Sequence, residues 1–143
     1  MNQKVLDYLK NQRICVLAVE MLDGSPHAAT VHFANEEGPF NFYFETDRDS
    51  RKSEPLFAKE ITKGSLVIGS DEKNAQTFQA DGIVRLLKPD EKEIFNFVYL
   101  GKFPEKKEKS LNPNFVCFTF TPTWWRFTDW TNPKEKIVIN SKV

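Results

Sequence analysis

The chain is poor in the residues that most enzyme chemistry relies on. It carries two histidines, two cysteines and no excess charge, with 20 Lys plus Arg balanced by 20 Asp plus Glu over 143 residues. A neutral chain has no overall field to draw in nucleic acid or an acidic membrane, so any electrostatic recognition must be local. Cys15 and Cys117 lie in the apolar runs ICVLAV and FVCFTF, too few and too far apart for a zinc site. They read as two buried, reduced thiols of a cytoplasmic protein. The longest apolar run, ICVLAV, is far below bilayer length, and the polar opening MNQKVLDYLKNQR has no apolar signal core. A soluble chain with no membrane partner and no export signal is expected.

His27 and His32 have opposite parity on one predicted strand, so they point to opposite faces and cannot jointly hold a metal. No metal is expected. The chain has no G-x-S-x-G, P-loop, G-x-G-x-x-G or H-E-x-x-H, so hydrolytic chemistry has no motif behind it, and no residue reads as catalytic.

What is present is a dense set of strand signals. Val5, Leu6 and Leu9 predict a short helix over 3–11. Residues 14–22 and 27–34, joined by the turn DGSP, predict a hairpin, and 40–46 a third strand of the same meander. In that third strand Phe40, Phe42 and Phe44 share one face and Asn41, Tyr43 and Glu45 the other. A helix is expected over 53–62, with Ser53 as N-cap and Pro55 in its first turn. Strands follow over 64–70 and 75–88, the second bent or bulged at Gly82. A helix is expected within 89–103, a strand over 114–130 running through Pro122, and a last strand over 136–140. Six or seven strands with helices inserted between them, and 13 phenylalanines to fill the inside, predict one mainly β domain closed as a barrel over residues 1–143.

One stretch departs from this pattern. FYFETDRDSRKSEPL puts Arg48, Arg51 and Lys52 directly after an aromatic strand. A phosphomonoester is close to a dianion at neutral pH, so a good seat offers at least two cations and short hydroxyl donors. Thr46, Ser50, Arg51 and Lys52 supply that inventory within seven residues. A solvated basic loop balanced by Asp47, Asp49 and Glu54 is the competing reading, and spacing alone does not decide between them.

The run T-x-x-x-S-R-K after an aromatic strand, with DG-x-P before it and Q-x-x-G-x-x-R-L on a later strand, resembles the pyridoxamine 5'-phosphate oxidase-like flavoproteins. The order of elements is similar from about residue 3 to 130. The resemblance implies a split β-barrel, a homodimer, and FMN in a cleft between the subunits. It implies that Arg51 and Lys52 bind the FMN phosphate with help from Ser50, and from Glu45 and Thr46 at the strand end. It further implies that Ala29, Thr30 and Val31 flank the flavin ring and that Gln76 or Gln79 approaches from the long strand. Trp124 and Trp125 face opposite ways on their strand, one able to pack inside while the other reaches an interface or a planar cofactor; Trp124, with Arg126 on its face, is the cofactor-side candidate.

The Arg-x-His segment with which the true oxidase grips its substrate has no counterpart after Trp130, so vitamin B6 oxidation is not expected. The ring-flanking strand HAATVHF also lacks the Arg or Lys that many members carry, leaving His27, Thr30 or the backbone to contact the ring. The expected function is an FMN-dependent oxidoreductase whose small-molecule redox substrate the sequence does not name. The alternatives are a non-catalytic module binding flavin, deazaflavin or haem, and a structural dimer with an empty cleft.

Overall fold

The computed structural model describes residues 1–69 and 71–141; Ser70, the expected end of a strand, lies outside them. The opening helix, α1 (Gln3–Asn11), forms as the apolar spacing predicts. The Asn2 side chain caps it, accepting from Lys4 N at 2.9 Å, and Val5, Leu6, Tyr8 and Leu9 are buried along one side. Its last carbonyls are met from far along the chain. Lys102 Nζ donates to Leu9 O at 3.2 Å and also to Gln12 O.

Eight strands follow: β1 (Ile14–Glu20), β2 (Pro26–His32), β3 (Ala34–Asn35), β4 (Phe42–Asp47), β5 (Thr62–Ile68), β6 (Gln76–Leu86), β7 (Phe115–Asp129) and β8 (Ile137–Asn140). They build one antiparallel sheet in the order β2–β1–β5–β6–β7–β4–β3, with β8 on β7. The two ends of that order are neighbours in sequence. Only Phe33 separates β2, which pairs with β1, from β3, which pairs with β4. The sheet therefore curls until one stretch of chain, residues 26–35, serves both of its margins, and the result is a split β-barrel. Nine of the 13 phenylalanines are fully buried: 33, 42, 44, 78, 118, 120 and 127 inside the barrel, 95 and 103 outside it. At roughly 1.5–3 kcal/mol for each large apolar side chain removed from water, they are a substantial part of the favourable side of folding.

Three expectations are corrected. The hairpin of β1 and β2 forms, but β4 does not continue it as a meander and pairs with β7 instead. Phe42 and Phe44 are buried on one face of β4 and Tyr43 on the other, so this strand needs cover on both sides and takes an internal place in the sheet. The helix expected over 53–62 shortens to α2 (Glu54–Ala58), preceded by a 3₁₀ turn at Arg51–Ser53. Ser53 makes no side-chain capping bond, and Thr62 joins β5, where its hydroxyl donates to Glu20 O at 2.7 Å. The helix within 89–103 is a 3₁₀ turn (Pro89–Glu91), one α turn, α3 (Lys92–Phe95), and a π segment (Asn96–Leu100). Phe95, Tyr99 and Phe103 recur every four residues and are all fully buried. An α-helix would rotate each successive ring by about 40° and the wider π turn takes that drift back, keeping the three aromatics over Tyr43.

Gly82 bends β6 as its sequence position predicts. The register with β7 shifts between Asp81 and Gly82, which sits opposite Pro122. A Cβ at Gly82 would lie 2.2 Å from Thr121 O, so only glycine allows this approach. Cys15 is buried, whereas Cys117 is only half-buried on the outer side of β7, with Lys92 Nζ 3.6 Å from its sulfur. No helix is long and apolar enough to cross a membrane.

Candidate phosphate seat at the end of strand β4

The basic stretch is built by the end of β4, a tight turn and the 3₁₀ turn. Ser50 N donates to Asp47 O at 3.0 Å, and Asp49 N donates to Asp47 Oδ1 at 3.1 Å. Three hydroxyls then run in series through this loop. Thr46 Oγ1 donates to Ser50 Oγ at 3.2 Å, Ser50 Oγ and Ser53 Oγ lie 2.8 Å apart, and Ser53 Oγ donates to Asp47 O at 3.1 Å. The Asp47 carbonyl can only accept, so the Ser53 proton is committed there and Ser50 must donate to Ser53. The three protons point one way, away from Thr46, and Thr46 heads the series. Ser53 was readable from sequence only as a cap; the S-x-x-S spacing is the signal that could have placed it here.

The two cations differ sharply. Lys52 is only 9% exposed, and its ammonium has no hydrogen bond or ion pair among the described residues. Burial lowers its pKa, and the charge of Asp47 only partly opposes that. Arg51 is exposed. It acts on Asp23 in the β1–β2 turn, whose carboxyl is held below its usual range by Ser25 first and by Arg51 more weakly, which places Arg51 toward that turn. Arg48 turns away: its guanidinium stacks 4.8 Å from the Phe57 ring centroid.

The 3₁₀ turn packs against β2, so Thr46, Ser50, Arg51 and Lys52 share one region with the strand that holds Ala29, Thr30 and Val31. Val31 is buried, Ala29 half-buried and Thr30 exposed. The other candidates lie elsewhere in this chain. Glu45 is on the face of β4 opposite Thr46, where it accepts from Ser110 Oγ. Gln76 begins β6, and its Nε2 donates to Asp129 Oδ2 at 3.0 Å while its carbonyl accepts from Tyr8. Leu86, at the seat's end of β6, is about 30 Å along the strand from Gln76 at 3.3 Å per residue. Gln79 is exposed opposite Arg126, and Trp124 is half-buried opposite Asp81 with the Arg126 guanidinium 5.5 Å from its ring. These last three form a second patch on the outer face of β6 and β7.

His27 is half-buried on β2; His32 packs edge-on to Phe103 with ring centroids 5.4 Å apart. Burial, then Lys106 and Arg13, lower the His32 pKa, which favours the neutral imidazole. Among the described residues no group of three or more His, Cys, Asp or Glu is placed to hold a metal ion.

A split barrel with a cationic, hydroxyl-rich turn against its closing strand is the class of protein this geometry defines. The sequence profile described as pyridoxamine 5'-phosphate oxidase matches residues 1–129, and the chain belongs to that family. No curated protein sequence matches it significantly. Solved structures share the fold. A haem-binding protein from Mycobacterium smegmatis superposes with TM-score 0.72 at 14% identity, over 92% of this chain and 53% of that longer one. A Clostridium acetobutylicum protein related to general stress protein 26 of B. subtilis, of the pyridoxine phosphate oxidase family, gives 0.67 at 16% identity, over 97% of this chain and 96% of that one. HutZ, the haem storage protein of Vibrio cholerae, gives 0.66 at 15%, over 85% and 89%. At these identities the likeness is one of fold.

Proposed function

We propose that the chain is a cytoplasmic FMN-binding flavoprotein with oxidoreductase activity, working as a homodimer with its phosphate seat at Thr46, Ser50, Arg51 and Lys52. The buried side chain of Lys52, whose ammonium has no hydrogen bond or ion pair among the described residues, carries this reading. An isolated buried charge is costly, and a dianion arriving beside it removes that cost. The donor set fits the group. Lys52 offers a point charge, Arg51 a fork open to solvent, and Thr46 a hydroxyl whose only commitment is to Ser50.

When bound, FMN would supply hydride and electron transfer at its ring. The chain's own residues would anchor and orient it. Exposed Thr30 offers a polar contact on the outer face of β2, and the backbone around Ala29 and Val31, whose side chains face the barrel interior, offers packing. Val16, Val67, Ala28 and Thr30 leave a broad outer face of β1, β2 and β5 open to solvent, continuous through the β5–β6 and β6–β7 pairings with Gln79 and Trp124. A second copy docked there would bring its own Gln79 and Trp124 toward the seat, which they do not reach within one chain. The reading includes no nucleic-acid partner, and leaves open which small redox substrate is used.

The deciding measurement is the visible spectrum of purified protein before and after incubation with excess FMN and desalting. Flavin bands near one per subunit are expected; colourless protein would overturn the proposal. A second reading, haem binding, follows from the two fold relatives that bind or store haem. His27 and His32 are the only imidazoles available. A Soret band lost on replacing one of them would favour haem over flavin.

A further inference from the structure

On the other side of the seat's turn lies a cleft that the flavin reading does not use. Its volume is about 480 Å³, within the range of small-molecule sites. The floor is apolar, formed by Phe57, Leu86, Leu87, Pro89, Phe115 and Val116. Arg48, Lys88 and Lys92 stand around it, and no acidic residue lines it among those described. None of the seat residues Thr46, Ser50, Arg51 or Lys52 contributes to its wall.

The three cations are not neutralised by carboxylates. None of them enters an ion pair among the described residues. Glu91, which lies between Lys88 and Lys92 in sequence, is held by Arg85 through both oxygens. Arg48 and Lys92 instead lie over aromatic rings, 4.8 Å from the Phe57 centroid and 4.7 Å from that of Phe95. Phe57, at 47% exposure, is a large aromatic side chain left open to water at the cleft. An apolar floor beneath cations without counter-charges complements a ligand with an apolar body and one anionic head.

We infer that this cleft binds a small amphiphilic anion, an alkyl or aryl group bearing one carboxylate, sulfonate or phosphate. The apolar body would lie against Phe57, Leu87 and Phe115 while the head meets Lys88, Lys92 and Arg48. Such a site shares no lining residue with the phosphate seat, so its ligand does not depend on which cofactor the barrel takes.

The test compares two fluorescent probes on the purified protein, 1-anilinonaphthalene-8-sulfonate and its neutral analogue N-phenyl-1-naphthylamine. The sulfonate is expected to bind saturably, at least about tenfold tighter than the neutral probe, because only it can engage the cations. Lys88→Glu with Lys92→Glu should abolish that preference. Two controls should leave it intact: Lys107→Glu with Lys134→Glu, at exposed lysines outside the cleft, and Arg51→Ala with Lys52→Ala in the seat. Equal binding of the two probes, no saturable sulfonate binding, or a preference that survives the Lys88 and Lys92 reversal or falls equally in the controls would overturn the inference.

Discussion

Arg85 and Glu91 form a two-pronged ion pair, Nη1 to Oε1 at 2.7 Å and Nη2 to Oε2 at 2.8 Å, that ties the end of β6 to the turn opening α3. The same carboxylate accepts from Lys88 N at 2.8 Å. Arg85 chiefly, and the Lys88 amide after it, hold the Glu91 pKa at about 2 against a burial effect that would raise it. Its folded-state value lies below the ordinary 4.5, so the contribution is complete above about pH 4.5 and lost as pH falls through about 2. Both side chains are less than a third exposed, at 27% and 22%. Glu91→Gln should therefore cost about 2 kcal/mol at pH 7, shrinking toward zero near pH 2, in urea unfolding followed across that range.

Lys52 makes stability and binding move in opposite directions. Replacing it with methionine removes a buried side chain's charge that has no hydrogen bond or ion pair among the described residues, so Lys52→Met should leave the unliganded protein as stable as before or more so. Flavin affinity should fall by about 1.5–3 kcal/mol, the usual worth of a hydrogen bond to a charged group. Thermal unfolding without flavin and a flavin titration separate the two effects, and an unchanged titration would remove Lys52 from the seat.

The Lys102 ammonium is partly buried, 4.1 Å from the Phe33 ring centroid, while capping α1. Burial, and then the nearby Arg13, bring its pKa down to about 8, below the ordinary 10.5. Between those values the unfolded chain holds the proton more tightly, so this group makes stability rise with pH over about 8 to 10.5. Below about 8 its burial cost is present in full. Lys102→Met should flatten that rise in chemical unfolding measured from pH 7.5 to 10.5.

Gly82→Ala tests the bulge. With Thr121 O only 2.2 Å from the new Cβ, the β6–β7 pairing must shift, at a cost of about 1–3 kcal/mol in urea unfolding. A fall of only a few tenths would mean that the strand relaxes freely there.

Thr119→Val should act the other way. The Thr119 hydroxyl is buried without a hydrogen-bond partner among the described residues, and valine keeps its shape without the polar atom. A gain of about 1 kcal/mol is expected by the same unfolding measurement.

The hairpin, the opening helix and the bulge at Gly82 were legible because each is set by neighbours in sequence: DGSP between two apolar runs, Val5 and Leu9 one turn apart, a lone glycine in a strand. The partner of β4 was not legible. Nothing in FNFYFET announces that Tyr43 will be covered by Phe95 and Tyr99, since that cover comes from a segment more than a third of the chain away. The same limit applies to the site. Thr46, Ser50, Arg51 and Lys52 are contiguous and could be found together, whereas the depth of Lys52 depends on packing of the 3₁₀ turn against β2. Gln76 carried a polar signal that the fold uses for its own bond to Asp129.

The closure of the barrel through Phe33 also sets an order in time. Thr46 gains its sheet partner only when Val116 arrives, long after β2, against which the 3₁₀ turn packs, has been made. A ribosome-bound chain ending before β7 holds every residue of the candidate seat and the β2 strand beside it, but not the β7 neighbour of β4. The β4 end that carries Thr46 is thus flanked by β7 only late in synthesis.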